Sequence, residues 1–209
     1  LVGKVLGAIF GGATSVVDSG VTAQSASLGM INTSGVQAQQ YSDIKKEGGW
    51  FSKDKFSTST QALSPEISQP FSLIVSGLGK GVTAAADALG IGGDAFTNKL
   101  NSFVVDLGKI SLKDLSSEEI QEQFAAIFSK LGDDMAKFGI AGLEKFQNIG
   151  EGYFETLARV ANDLIQVKDV FAVMGQSFNL TGMAAIEVSE SLILAAGGLE
   201  KLTGDTKYF

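Results

Sequence analysis

Three carboxylate pairs mark the places where acid–base chemistry could sit: Glu118-Glu119, Asp133-Asp134, and Glu151 with Glu155. Cleaving a glycosidic bond needs one carboxyl raised in pKa by burial and a second held near it across a sugar cleft. Neighbouring residues on a helix point about 100° apart, so the first two pairs diverge. Glu151 and Glu155 share a helical face, where like charges one turn apart repel and face solvent. None reads as catalytic, and the chain is expected not to be an enzyme. Ser76-Gly77-Leu78-Gly79-Lys80-Gly81-Val82-Thr83 has the look of a phosphate cradle. The Walker spacing, however, places four residues between its first glycine and Gly-Lys-Ser/Thr, and Lys80 is followed by glycine inside a helical pattern. No cofactor is expected there, and no Asp-x-Asp-x-Asp calcium loop occurs.

The side chains that are missing narrow the chemistry further. The 209 residues contain no cysteine and no histidine. That removes disulfides, thiol nucleophiles, imidazole bases and ordinary zinc sites. The net charge is −7, and of the 16 cationic side chains only Arg159 is arginine. Readers of DNA bases rely on bidentate arginine and a basic face, so base readout is excluded. An acidic surface lets DNA phosphate slide past instead. Apolar residues make up 44% of the chain, enough to bury a core. No run reaches the ~18 strongly apolar residues of a membrane helix. Leu1–Phe10 lacks a cationic start followed by a small-residue cleavage site, so it does not read as a signal peptide.

These residues need elements to position them, and the pattern predicts an α+β, mainly α fold of amphipathic helices, a β-hairpin and one further strand. Residues 1–13 read as the end of an upstream helical region, 14–63 as the hairpin region, and 64–209 as helical with a strand near 101–112. Val36-Ala38-Gln40-Ser42-Ile44 alternates with the wetter Gln37-Gln39-Tyr41-Asp43-Lys45, and Phe56–Leu63 resumes after Gly48-Gly49. The hairpin tip carries Trp50 and Phe51 among lysines, either folded back on its own subunit or anchoring a partner. Ser64-Pro65-Glu66 opens a helix that Gly90 stops. One of its stripes is bulky: Phe71, Ile74, Leu78, Val82, Ala85 and Leu89. The other is flat: Gly77, Gly81, Ala84 and Ala88, open to close approach by a backbone of its own chain or of a second copy. Phe103, Val105 and Leu107 alternate as a strand over Asn101–Leu112. Ser116 and Glu119 form a capping box for a helix whose face is Ile120, Phe124, Ile127, Leu131, Met135 and Phe138. A heptad follows in Tyr153, Leu157, Val160, Leu164, Val167, Phe171 and Met174, serving an intrachain core or self-association. Ala184, Val188, Leu192, Ala195, Leu199 and Leu202 mark a last helix, interrupted at Gly197-Gly198.

Several strings, taken in order, resemble a known family. They are Ser42-Asp43-Ile44-Lys45-Lys46 with Gly48-Gly49 and Ser52-Lys53-Asp54-Lys55; Leu107-Gly108-Lys109-Ile110-Ser111-Leu112-Lys113 leading to Glu118-Glu119-Ile120-Gln121; and Gly142-Leu143-Glu144-Lys145-Phe146. They continue with Gly150-Glu151-Gly152-Tyr153-Phe154-Glu155-Thr156-Leu157-Ala158-Arg159-Val160-Ala161 and Gly197-Gly198-Leu199-Glu200-Lys201-Leu202. Over residues 40–205 the chain resembles tape measure proteins of long, non-contractile phage tails. The resemblance implies a helical ruler that sets tail length, here its C-terminal, tail-tip region. It further implies a homotrimer around the tail axis inside the tube lumen, anchored on baseplate hub and distal tail proteins. Phage DNA would pass without sequence readout, and the host membrane is a partner after ejection. The chain lacks the ruler's long uninterrupted helix. Other classes open on the sequence are a pore-forming or translocation protein and a peptidoglycan-cleaving domain.

Overall fold

A computed structural model describes residues 14–47 and 53–204. The fold is α+β and mainly α, with seven α-helices among the described residues beside small antiparallel sheets. The expectations for residues 1–13 and for Trp50 and Phe51 lie outside the described residues.

The sheet starts with β1 (Thr14–Ala23), which runs antiparallel to β3 (Ala38–Lys46). Its register shifts between Val16 and Asp18, so Val17 sits in a bulge. The expected hairpin forms: β3 pairs with β4 (Lys55–Ala62) without a register shift. Between β1 and β3 lie β2 (Ala26–Ser27) and a short helix, α1 (Leu28–Ser34), which the strand-like reading of residues 14–63 missed. Ser27 caps α1, its hydroxyl accepting from the Met30 N–H, while Leu28 and Ile31 are buried. β-Branched composition could not reveal a helix this short.

The long helix α2 spans Pro65–Ala88, with Pro70 inside it. Leu89 is its cap residue, and Gly90 follows at φ +71°, a left-handed conformation that glycine takes without a Cβ clash. The expected bulky stripe faces inward in its second half, at Val82, Ala85 and Leu89, with Phe71 and Leu78 half-buried against the core. Val75, Gly79, Val82, Ala86 and Leu89 are buried, whereas Ile74 is exposed. Spacing by 4 and 3 gave the right period, and Val75 and Gly79 join the inward face beside the expected stripe because α1 packs on Gly79 through Leu28.

Helix α3 (Asp94–Asn101) was also missed, and it takes the first residue of the strand expected at 101–112. The remainder divides at Gly108 into β5 (Val104–Val105), paired with β2, and β6 (Lys109–Ser111), paired with β1. The main sheet therefore has the order β4-β3-β1-β6. Helix α4 (Ser117–Gly139) begins with the expected capping box, Ser116 N–H donating to Glu119 at 2.7 Å and Glu119 N–H to Ser116 at 3.3 Å. Its C-terminal half buries Leu131, Met135 and Ala136; Phe138, expected on the same face, is partly exposed against Phe103.

A 3-10 turn (Leu143–Phe146) leads to α5 (Tyr153–Val173). Helix α6 (Gly182–Ala196) and α7 (Leu199–Gly204) are separated at Gly197-Gly198, as expected. The inward face of α6 is Ala185, Ile186 and Ser189; Ala184 and Val188 point outward, one residue out of phase with the expected stripe. α2, α4 and α5 pack on one another around Val82, Leu131, Met135, Leu157 and Leu164, and Ala38 and Val21 join the core from the sheet.

Candidate functional site

The carboxylate pairs do not converge. Glu119 closes its capping box, and Glu118 is exposed. Asp133 accepts from the Phe154 N–H at 2.8 Å, capping the start of α5 from α4, while Asp134 pairs with Lys130. Glu155 accepts from the Gly152 N–H at 3.1 Å. Glu151 lies before α5 rather than on it, so the expected shared face with Glu155 does not exist.

Glu151 instead meets the chain's one arginine. Arg159 donates through Nε to Glu151 Oε1 at 2.9 Å, through Nη1 to Glu190 on α6 at 2.7 Å, and through Nη2 to the Phe146 carbonyl. Asp163, one turn along α5, lies 3.6 Å away. Glu151 also accepts from the Asn148 N–H and the Thr156 hydroxyl. The Arg159 hydrogen bond, aided by these donors, holds the Glu151 carboxyl down to about 2. Burial, reinforced by the charge of Glu190, pushes Asp163 up. Every donor of this cluster faces an acceptor of its own chain, which describes a clamp joining α5, α6 and the turn before α5. Arginine's five-donor fork suits a hub of this kind, and lysine could not span it.

The second polar cluster crosses the open sheet. On one face, Ser111 on β6 and Tyr41 on β3 both donate to Asp18 on β1, Tyr41 at 2.7 Å. Lys109 donates to both oxygens of Asp43 at 3.0 and 3.1 Å, and Thr58 on β4 donates to the same carboxylate. Tyr41, placed among the wetter residues by alternation, is 1% exposed, its ring 4.6 Å from the Lys109 ammonium. Burial and then the bond to Asp18 push its phenol up to about 12. The Ser111 and Tyr41 hydroxyls hold Asp18 below the ordinary carboxylate range, as Thr58 and Lys109 do for Asp43. Both acids stay ionised and both hydroxyls stay protonated. Each carboxylate on this face is held by hydroxyl or ammonium donors of its own sheet. A shallow cavity of about 360 Å³ opens on it, walled by Val17, Phe56, Thr58 and Lys109.

The residues expected at self-association surfaces separate into two groups. Tyr153, Leu157, Val160, Leu164 and Val167 are buried by their own chain, Tyr153 donating to the Ile140 carbonyl at 2.8 Å. Phe171 is half-buried against Phe178, 5.3 Å between centroids, and Met174 is exposed beyond the helix end. From Tyr153 to Val167 the heptad packs as an intrachain core. In the flat stripe, Gly81 lies under the Phe154 ring and Ala88 is half-buried against the core. Gly77 and Ala84 are exposed, with nothing within 4 Å of where a Gly77 Cβ would stand.

Residue typing overlooked the edge of the sheet. All eight residues of β4 are exposed, and among the described residues its only neighbouring strand is β3. The signal available was the uncharged run Phe56–Leu63 with alternating Ser and Thr. Among the described residues no group of acidic side chains could hold a metal ion, and no helix is long and apolar enough to cross a membrane. No family profile, curated protein or solved structure matches the chain.

Proposed function

We propose that this chain is the C-terminal anchoring region of a phage tail tape measure protein. It fixes the ruler at the tail tip against baseplate hub and distal tail proteins, and so serves tail length determination, assembly and genome ejection. Its role is structural rather than enzymatic, within a homotrimer around the tail axis in the virion. The observation that carries this reading is the ordered set of short strings between residues 40 and 205. Three physical features support it. The strings lie on the β3–β4 hairpin, on β6 and the start of α4, on the turn into α5 and at the α6–α7 junction. Among the carboxylates within them, Glu119, Glu151 and Glu155 are engaged in caps and an ion pair that keep the shape. The balance of −7 suits a lumen through which DNA must pass.

Immunogold labelling of virions with an antibody to this chain tests the reading. Label at the tail tip is expected, and its absence from virions, with intact tails assembled by phage lacking the chain, would refute it. Mass measurement of the isolated tip checks the trimer; a hexamer would overturn that part alone.

A further inference from the structure

We propose that β4 is a docking edge that accepts an extended segment of an acidic partner protein as a fifth, antiparallel strand. This proposal stands on the sheet itself, whatever assembly the chain serves. The Leu63 N–H donates to the Ala38 carbonyl, which fixes the alternation of the β3–β4 ladder. The N–H and C=O groups of Phe56, Thr58, Thr60 and Ala62 therefore point away from β3, and no strand among the described residues pairs with them. Natural edges are blunted by bulges, prolines, inward charges or brevity. β4 has none of these: eight residues, a regular register, no proline, and one charge, Lys55, at its first position. Its Ser/Thr-rich middle favours an extended chain.

Charge identifies the occupant. Lys46 and Lys55 are directly opposite in the register, so they share a face at the end of the hairpin, and neither has an ion-pair partner among the described residues. Like charges opposed in this way destabilise a strand pair. With Lys45, which pairs with Asp54, and Lys53, the hairpin end carries four lysines against Glu47 and Asp54, a cationic end on an acidic chain. An added strand whose C-terminal end carries carboxylates would meet Lys55 and relieve the repulsion. A second copy of β4 is a poorer fit, because antiparallel self-pairing sets Lys55 against the uncharged end at Ala62 and leaves both lysine pairs uncompensated. Phe56, 70% exposed and flanking the cavity with Val17, gives the incoming strand an apolar side chain to cover.

The test uses the full chain and a fluorescent nonapeptide of alternating threonine and valine that ends in two glutamates, beside a twin ending in two lysines. The acidic peptide should bind and slow amide exchange at Phe56, Thr58, Thr60 and Ala62. Lys55→Glu should weaken it about tenfold and favour the lysine twin. Thr60→Pro removes an N–H that points out of the ladder, so it should abolish binding while leaving the thermal melt in place. Equal binding of the twins, or no protection at these amides, would overturn the proposal. So would protection without peptide that rises with a concentration-dependent dimer, which would make a second copy the occupant.

Discussion

In the helical layer the chain covers its own apolar seam, whereas in the sheet it leaves a whole strand uncovered. α5 alone buries Tyr153, Leu157, Val160, Leu164 and Val167, and the clamp at Arg159 ties its first turns to α6. β4 has the opposite character: eight exposed residues, held by the ladder to β3 and by the Thr58–Asp43 bond. The contrast separates two kinds of interface candidate. A regular heptad looks the same in sequence whether a neighbouring helix or another molecule covers it, and here the neighbours are α2, α4 and α6. An edge strand, by contrast, advertises itself through backbone groups that side-chain pattern does not register.

The largest effect expected from this contrast is in the seam. Leu157 is fully buried, so Leu157→Ala should cost about 2–5 kcal/mol, the range for a core leucine cavity. Phe56→Ser on the edge should stay within about 0.5 kcal/mol, since the side chain is exposed already. Chemical denaturation of both variants checks the pair. A Leu157→Ala chain as stable as the parent would mean that the helical layer does not depend on its seam.

The sheet has one position where it is as unforgiving as the core. A Cβ on Gly20 would stand 1.9 Å from the Ile110 carbonyl oxygen, a backbone atom that can move only by parting β1 from β6. Gly20→Ala should cost about 3 kcal/mol, the upper part of the overpacking range. Loss of exchange protection at Ile110 and Leu112 should accompany it, with the α4 and α5 amides still protected. Uniform loss would show that sheet and helices unfold as one unit and would weaken the division drawn between them.

Much of this was legible in the residues. Pro65 at a first helical position and the capping box of Ser116 with Glu119 announce the two longest helices, since both are local signals between near neighbours; the Ser64 hydroxyl makes no cap bond. The hairpin and the Gly197-Gly198 break were legible for the same reason. Phase was legible only in part: Val82, Ala85 and Leu89 of the α2 stripe are buried, but Leu28, 51 positions before Gly79, also draws Gly79 inward, and α6 turns one residue away from its expected stripe against α5. Tyr41 reads as wet because its hydroxyl is polar, yet an acceptor from β1 lets it be buried. Glu151 and Arg159 lie eight residues apart, and only the turn before α5 brings them together.

The Arg159 clamp gives an intermediate effect and a test by pH. The folded state keeps Glu151 ionised down to about 2, below the ordinary 4.5 of an unfolded glutamate. Its contribution is therefore complete above about pH 4.5 and disappears as pH falls towards 2. Glu151→Gln should cost about 2 kcal/mol at neutral pH and flatten the acid limb of the stability curve. Asp163 has the reverse sign: burial raises its pKa, so the folded state takes up its proton first and gains stability as pH falls through that raised value. Asp163→Asn should then cost less than Glu151→Gln at neutral pH, though both acids touch one guanidinium. Equal losses would mean that Arg159 counts charges and not geometry. The sheet acids Asp18 and Asp43 are the outside reference, because Glu151→Gln should leave their response to pH alone.

The smallest effect separates two glycines that the flat stripe treats as equivalents. Gly77 has no neighbour where its Cβ would stand, and in a helix interior alanine is worth about 0.8–1 kcal/mol more than glycine. Gly77→Ala should therefore raise the melting temperature of the isolated chain. At Gly81 the same methyl meets the Phe154 ring at 2.9 Å, so the ring must turn and the propensity gain is offset or reversed. If Gly77 packs against a second copy in the proposed homotrimer, an added methyl lowers the yield of that assembly while stabilising the monomer, and sedimentation with melting on one sample reads both. Stabilisation with undiminished assembly would make Gly77 a plain surface position. That result would leave the sheet edge as the better place to look for what the chain binds.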